Sequence, residues 1–482
     1  MPIDLHTETL TLPSYLCGEA VADGPGLEVH YPWDNSLTGT VSLVANRQAF
    51  VCLEKTLDRQ RTEDPLSRYE RYEILMKVRS LIEEHEDLFA HLIRRESGLC
   101  MRETRHEAGR AKDVFQFAAI EALKDDGEVY SGDVSPQGQA RKIFTFRRPL
   151  PVALAITPFN HPLNQVAHKI APAIAAGVPM LLKPSEKTPL SAIRLCELCY
   201  EAGLPEWMLS VFVGTIEDVV EPLIKDERVP LVTFTGGTAV GKHIASIAGY
   251  KKLCLELGGN APLIILPDAD MDLAVKLACE GNFRNSGQRC TAVKRTLVHR
   301  AIYEPFLERF VERAKDYTCG DPADEKTVVG TVIDVPAAQL LEQRIRQAVA
   351  DGATVLLGGQ RHGARVEPTV LRDVPRTTDM VAHESFGPLA PVIPVDDLDD
   401  AITYANASAF GLSSAVVTND MAAAMRCVKE IHSGTTNINQ IPGYRIESSP
   451  FGGIKDSGLG IKEGVIEAMK FMTTVKTFSM PW

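Results

Sequence analysis

From about residue 152 the chain alternates unbroken apolar runs with segments of helical period. VALAI (152–156), PMLLK, LSVFV, LVTFTGG and LCLELGG are apolar on consecutive residues. Between them, LNQVAHKIAPAIAAG, a stretch from Ser191, another around Asp218 and another after Thr238 carry helical patterns. A strand buried on both faces loses the in–out alternation of a half-exposed one. The pattern therefore predicts an α/β fold with a parallel sheet covered on both sides, the architecture of a nucleotide-binding domain. A second α/β block starts near Ala261 with LIIL, a helix over 271–283, TLVHR and a helix from Ile302, and continues to about residue 430. The N-terminal part holds long helices, one of them expected over 65–89. Two β-like segments fit neither block. Residues 127–148 read as a hairpin with Pro-Gly turn chemistry, and FMTTVKTFSMPW closes the sequence. Together they suggest a small separate sheet.

At 482 residues the chain is too long for one core, which predicts two or three domains. Hydrophobic residues at 45% and charged residues at 24% indicate a globular protein. The net charge of −12 argues against a nucleic-acid partner, which requires a basic face. No apolar run has the length of a membrane span, and MPIDLHTETL lacks the basic and apolar regions of a signal peptide. The ten cysteines are scattered, as free thiols in a reducing compartment would be, so a cytoplasmic location is expected. Cys196 and Cys199 form a CxxC on an amphipathic helix, but no second pair or His cluster accompanies it. No metal is expected.

Several short motifs carry candidate chemistry. NSGQRCTA sets Cys290 after Arg289 in a Gly- and Ser-containing loop, and a cysteine nucleophile requires a polar or cationic setting for its thiolate. In LELGGNAP a carboxylate, Glu256, ends an apolar strand. Burial would raise its pKa and make it a general base. ITPFNHP places Asn160 at a strand end, where its amide can donate to an oxyanion. KPSE, at the next strand end, offers Lys183 and Glu186 to ribose hydroxyls. FTGGTAVGK is a Gly-rich strand-to-helix turn suited to phosphate. HESFGP sets Glu384 before a Gly-Pro turn.

Each motif alone has a structural explanation. The joint, ordered occurrence of PFN, KPSE, FTGG, LELGG, GQRC, ESFGP and SPFGGIKDSG resembles the aldehyde dehydrogenase superfamily, from about Tyr31 to Trp482. One departure is Gly237, where many members have serine. The resemblance implies a Rossmann-like cofactor domain (1–126 and 149–259), an α/β catalytic domain (260–436) and oligomerisation strands (127–148 and 465–482). It implies a homodimer or homotetramer. Cys290 is then the nucleophile, Glu256 the base for the deacylating water, and Asn160 with the Cys290 backbone N–H the oxyanion hole. NAD is the implied cofactor, with NADP as the alternative, held by Ile156, Thr157, Pro158, Phe159, Lys183, Ser185, Glu186, Gly214, Gly236, Gly237, Val240, Gly241, Leu257, Glu384 and Phe386. A Glu at 256 favours hydrolysis of the thioester over transfer to coenzyme A.

Arg110, His161, Arg289 and Arg445 fall at positions that flank the substrate tunnel in this superfamily. Cationic groups there predict a small anionic aldehyde. The combination of TPFNHPLN, PGYRIE and KEGVIEAMK is similar to members that oxidise phosphonoacetaldehyde to phosphonoacetate. The alternatives are sulfoacetaldehyde, glyceraldehyde 3-phosphate or lactaldehyde. A non-catalytic member serving as a binding or structural protein is the rival from another class, and the presence of Cys290, Glu256 and Asn160 argues against it.

Overall fold

The structure is a computed structural model that describes residues 8–482. The first seven residues, which belong to the expected cofactor domain and to the N-terminal end read for a signal peptide, lie outside the described residues. Two seven-stranded sheets form the frame.

The first contains, in spatial order, Lys252–Glu256, Leu231–Thr235, Ala153–Ile156, Met180–Lys183 and Leu209–Val211, all parallel. Two short antiparallel strands, Ser14–Leu16 and Glu19–Val21, extend its edge. Side chains alternate between two cores: Ala153 and Ala155 join one apolar cluster, Val152, Leu154 and Ile156 the other. That double burial is why these strands read as continuous apolar runs. Chain order reverses between Ala153–Ile156 and Leu231–Thr235, so a crevice opens at their C-terminal ends.

The second sheet runs Thr354–Leu357, Thr369–Arg372, Leu389–Val395, Val293–His299, Ala261–Ile265, Ser413–Val417 and Thr435–Ile438. Its first strand is antiparallel and the rest are parallel. Ile264 and Leu297 pack on one face, Leu263 and Val298 on the other.

Three expectations need revision. The single helix over 65–89 is two, Arg68–Glu84 and Glu86–Ser97, broken at His85. Ser67 and Glu70 form a reciprocal cap on the first, and Glu86 and Asp87 place negative charge at the N-terminus of the second. The β-like reading of 465–482 holds only for Thr473–Pro481; Val465–Phe471 is a helix that packs against Asn164–Ala176. The segment around Asp218 is a π-turn, Ile216–Val220, leading into the short helix Glu221–Lys225.

Thr473–Pro481 pairs with Arg141–Pro149 along nine residues, and Val129–Ser131 completes that small sheet. Its surface exposes Ile143, Phe146, Val475, Phe478, Met480 and Trp482. Among the described residues no helix is long and apolar enough to cross a membrane.

Candidate active site

Cys290 follows a strained loop. The helix Met271–Phe283 ends, and Asn285, Ser286 and Gly287 then adopt successive positive φ values of 56°, 51° and 68°. Two consecutive non-glycine residues in the left-handed region persist only where surrounding contacts over-determine them. Here the contacts are specific. The Asn285 amide donates to the Asn160 carbonyl (3.1 Å), and the buried Lys294 ammonium donates to the Gly287 carbonyl (2.7 Å). A side chain at Gly287 would collide with the Gly387 carbonyl of the ESFGP turn, and one at Gly259 with the carbonyl of Cys290 itself. The glycines of LELGG and GQRC thus let three backbone segments converge on the thiol.

The Asn160 Nδ2 donates one hydrogen to the Gln288 carbonyl (2.8 Å). Its second hydrogen is available to an oxygen bound near Cys290, since both residues line one cavity of about 280 Å³. Glu256, Glu384, Phe159, Phe386, Leu257 and Gly236 share that cavity. Phe159 and Phe386 meet edge to face, ring centroids 5.8 Å apart.

Both Glu256 carboxyl oxygens are buried without a hydrogen-bond partner. Burial, with the neighbouring Glu463 charge, pushes its pKa well above the ordinary carboxyl value, while Lys169 and Arg445 oppose the shift. Burial also pushes the Cys290 thiol up to about 12. Glu384 adds to that rise, and the Arg445 cation offsets part of it. Both shifts favour the protonated forms of Cys290 and Glu256. Two residues to which the sequence reading gave no role accompany them. Lys169 forms a buried ion pair with Glu463, and Glu463 lies 3.4 Å from the Thr235 hydroxyl. A lysine inside the otherwise apolar KIAPAIAAG helix was a legible signal; Glu463 gave none.

At the crevice, the Lys183 ammonium pairs with the Glu186 carboxylate just past the strand end. Ile156 and Thr157 are buried at the neighbouring strand end, and Pro158 lines the cavity. The Ser185 hydroxyl accepts the Lys187 N–H (3.3 Å), Gly214 packs on Val219, and Gly241 packs on Leu257. Gly237 is the N-cap of the helix Thr238–Ile247, provides no capping side chain and faces open space, while Val240 is exposed on the first turn. An uncapped ten-residue helix start beside a glycine pair suits a pyrophosphate. Glu384 accepts the Gly259 N–H at 3.0 Å, and the backbone of its loop is held by Arg344, whose Nη1 donates to the Glu384 carbonyl (2.5 Å). These donors and open glycines fit a dinucleotide.

The four cations expected around the substrate do not stand equally. Arg289 turns away: its Nη2 donates to the Glu280 and Gly281 carbonyls (2.8 and 2.9 Å), at the C-terminal end of the preceding helix, where a cation is favoured. It braces the Cys290 loop. His161 Nδ1 lies 3.4 Å from Glu107, whose carboxylate caps the helix Asn164–Ala176 through the Leu163 and Asn164 N–H groups. Arg110 donates to Glu447 at 2.5 Å. Arg445, stacked on Phe451 with its guanidinium carbon 4.1 Å from the ring centroid, keeps Nη1 buried and unpartnered. Glu447 is buried, which opposes ionisation. His168, Arg110 and Arg445 nevertheless hold it well below the usual carboxylate range. Burial pushes the His168 imidazole down, toward its neutral form. Arg110, His168 and Arg445 thus cluster around one buried, ionised carboxylate, and of the charges among them Arg445 acts on the Cys290 thiol.

A two-sheet α/β frame with a crevice that fits a dinucleotide defines the class as a nicotinamide-dependent oxidoreductase. The aldehyde dehydrogenase family model matches residues 21–478, and the chain belongs to that family. It is 39% identical over 411 residues to the 3-sulfolactaldehyde dehydrogenase of Priestia aryabhattai, covering 85% of this chain and 86% of that one. It is 38% identical over 451 residues to the sulfoacetaldehyde dehydrogenase of Neptuniibacter caesariensis, covering 92% and 97%. Among solved structures, aldehyde dehydrogenase 21 of Physcomitrella patens, in complex with the reaction product succinate, superimposes with a TM-score of 0.95 at 33% identity over 98% of this chain and 99% of that one. GapN of Methanocaldococcus jannaschii, complexed with NADP, gives 0.90 at 35% identity over 95% and 99%. Three of these four relatives are named for sulfonated aldehydes or for glyceraldehyde 3-phosphate. They favour the alternative anionic aldehydes over phosphonoacetaldehyde.

Proposed function

We propose that this chain oxidises a small aldehyde bearing a single strong anion, a sulfonate of two or three carbons, to the free carboxylic acid, with NAD as cofactor. The observation that carries the reading is Arg445, whose Nη1 is buried without a partner and whose charge reaches both Cys290 and Glu256. With Arg110 it forms a cationic cluster around Glu447 inside a chain of net charge −12, a local feature opposite in sign to the global charge.

The residues act in sequence. The Cys290 thiol passes its proton to water, and the sulfur adds to the aldehyde carbon. The resulting alkoxide is met by the free Asn160 amide hydrogen and the Cys290 backbone N–H. When bound against Glu384, Phe386 and the Gly236–Gly237 turn, the nicotinamide cofactor supplies the hydride acceptor. Glu256, returned to its carboxylate, takes a proton from the water that cleaves the thioester. Lys169 and Glu463 beside it offer a route by which that proton can leave the buried site.

The test is a panel of sulfoacetaldehyde, 3-sulfolactaldehyde, phosphonoacetaldehyde, glyceraldehyde 3-phosphate and propanal, followed by absorbance of the reduced cofactor. The sulfonates should give the highest kcat/KM; propanal as good as the sulfonates would overturn the reading. Arg445→Met sharpens it. Losing a buried charge-assisted contact costs about 2–5 kcal/mol, so kcat/KM for sulfoacetaldehyde should fall by at least roughly 30-fold, with a much smaller change for propanal. The variant also carries a pH signature. Arg445 lowers the pKa of both Cys290 and Glu256, so its removal should raise both and move the ascending limb of the pH profile to higher pH. An unmoved limb would place the guanidinium too far from the thiol to matter.

For the cofactor, Glu186 would meet a 2′-phosphate with like charge, a repulsion of roughly 1–4 kcal/mol. NAD should therefore have the higher kcat/KM, and Glu186→Gln should narrow the gap. A wild-type preference for NADP would refute the assignment. We read the exposed apolar strands Arg141–Pro149 and Thr473–Pro481 as the self-association surface of a dimer or tetramer.

A further inference from the structure

Remote from the active-site cavity, two thiols meet at the edge of the first sheet. Cys17 follows the strand Ser14–Leu16 and, with Gly18, turns the chain back into Glu19–Val21; both turn residues have positive φ, 50° and 82°. Its Sγ lies 3.3 Å from the Sγ of Cys52 on the helix Asn46–Thr62 and 3.4 Å from the Thr56 hydroxyl. The Ser210 hydroxyl joins the cluster, 3.1 Å from Cys52 Sγ, and accepts the Cys17 N–H at 2.9 Å. The two sulfurs differ in access. Cys52 is buried, whereas Cys17 is partly exposed and lines a surface cleft of about 620 Å³ together with Lys55 and Trp207. By contrast Cys196 and Cys199, the CxxC pair, are both sealed within the core.

We propose that Cys17 and Cys52 are a redox-active dithiol that a hydroperoxide converts to a disulfide. Cys17 is the attacking sulfur because the cleft reaches it. The Cys52 hydrogen bond, helped by Thr56, Ser210 and the Lys55 charge, draws its pKa down to about 6 against the effect of burial. The same hydrogen bond and burial hold Cys52 as a thiol. With hydrogen peroxide the Cys17 thiolate attacks one oxygen, the O–O bond breaks, and Cys17 becomes a sulfenic acid as the other oxygen leaves as hydroxide and takes up the proton that Cys17 gave to solvent, forming water. Cys52 sulfur then displaces the sulfenic oxygen, its proton completing a second water. Two thiols lose two electrons, and one peroxide becomes two waters. The sulfurs need to close from 3.3 Å to about 2.05 Å, a movement that the edge hairpin carrying Cys17 can supply.

The experiment treats the wild-type protein with hydrogen peroxide near neutral pH and maps its non-reduced peptides. A Cys17–Cys52 cross-linked peptide, lighter by two hydrogens and reopened by a thiol reductant, is expected. In Cys52→Ser the reaction should stall, with Cys17 trapped as a sulfenic acid by a dimedone probe. In Cys17→Ser, Cys52 should remain unmodified at the same dose. Wild-type Cys17 advancing to sulfinic acid without the cross-link would overturn the proposal. So would Cys17 remaining reduced at a dose that fully oxidises Cys290.

Discussion

Cys290→Ala should abolish aldehyde oxidation, with a loss of roughly 10⁴-fold or more, the scale seen when a covalent nucleophile is removed. Cofactor affinity should not change. The crevice residues that would hold the dinucleotide, from Lys183 and Glu186 to the Gly236–Gly237 turn, sit on the first sheet, while Cys290 precedes a strand of the second. The loop that presents the sulfur is fixed by backbone contacts of Asn285, Lys294 and Gly259, and the sulfur itself takes no part in them. Alanine therefore removes the reacting atom and leaves its setting intact. Cofactor fluorescence titration and single-turnover oxidation separate the two effects. Appreciable reduced cofactor formed by the variant would remove Cys290 from the chemistry.

Glu256→Gln should slow steady-state turnover by about 10²–10⁴-fold, the usual contribution of a general base, while the first turnover is slowed less. Glutamine keeps the shape of a side chain whose oxygens make no hydrogen bond and removes its capacity to take a proton. Acylation should then outrun deacylation, seen as a burst of reduced cofactor of about one per site. Normal steady-state turnover would mean another group activates the water, with Glu463 the first to examine.

What the sequence made legible follows from burial. The sheets were readable because doubly covered strands are continuously apolar, as in residues 152–156 and 180–183. The candidate site was readable because Cys290, Glu256 and Asn160 lie next to strand ends in motifs whose glycines admit close backbone contacts, and the fold brings all three to one cavity. What stayed hidden depends on direction and on distant partners. Arg289 and Arg445 look alike in the sequence, yet one side chain folds back onto helix carbonyls and the other stacks on Phe451 with Nη1 buried and unpartnered. Nothing local in PGYRIE indicates that Arg110, more than three hundred residues earlier, takes the close contact with Glu447 and leaves Arg445 Nη1 unpartnered. Cys17 and Cys52 likewise meet only because the edge hairpin folds onto the helix Asn46–Thr62. The break at His85 has no strong sequence signal, since neither glycine nor proline marks it.

Intact-mass analysis of the Glu256→Gln protein, mixed with NAD and either sulfoacetaldehyde or propanal and quenched in acid, tests the thioester route and the anion preference together. A sulfoacetyl adduct should accumulate rapidly, map to Cys290 and disappear with hydroxylamine, while a propionyl adduct forms far more slowly. No adduct on Cys290, or adducts that form equally fast from both aldehydes, would contradict the mechanism or the anionic pocket respectively.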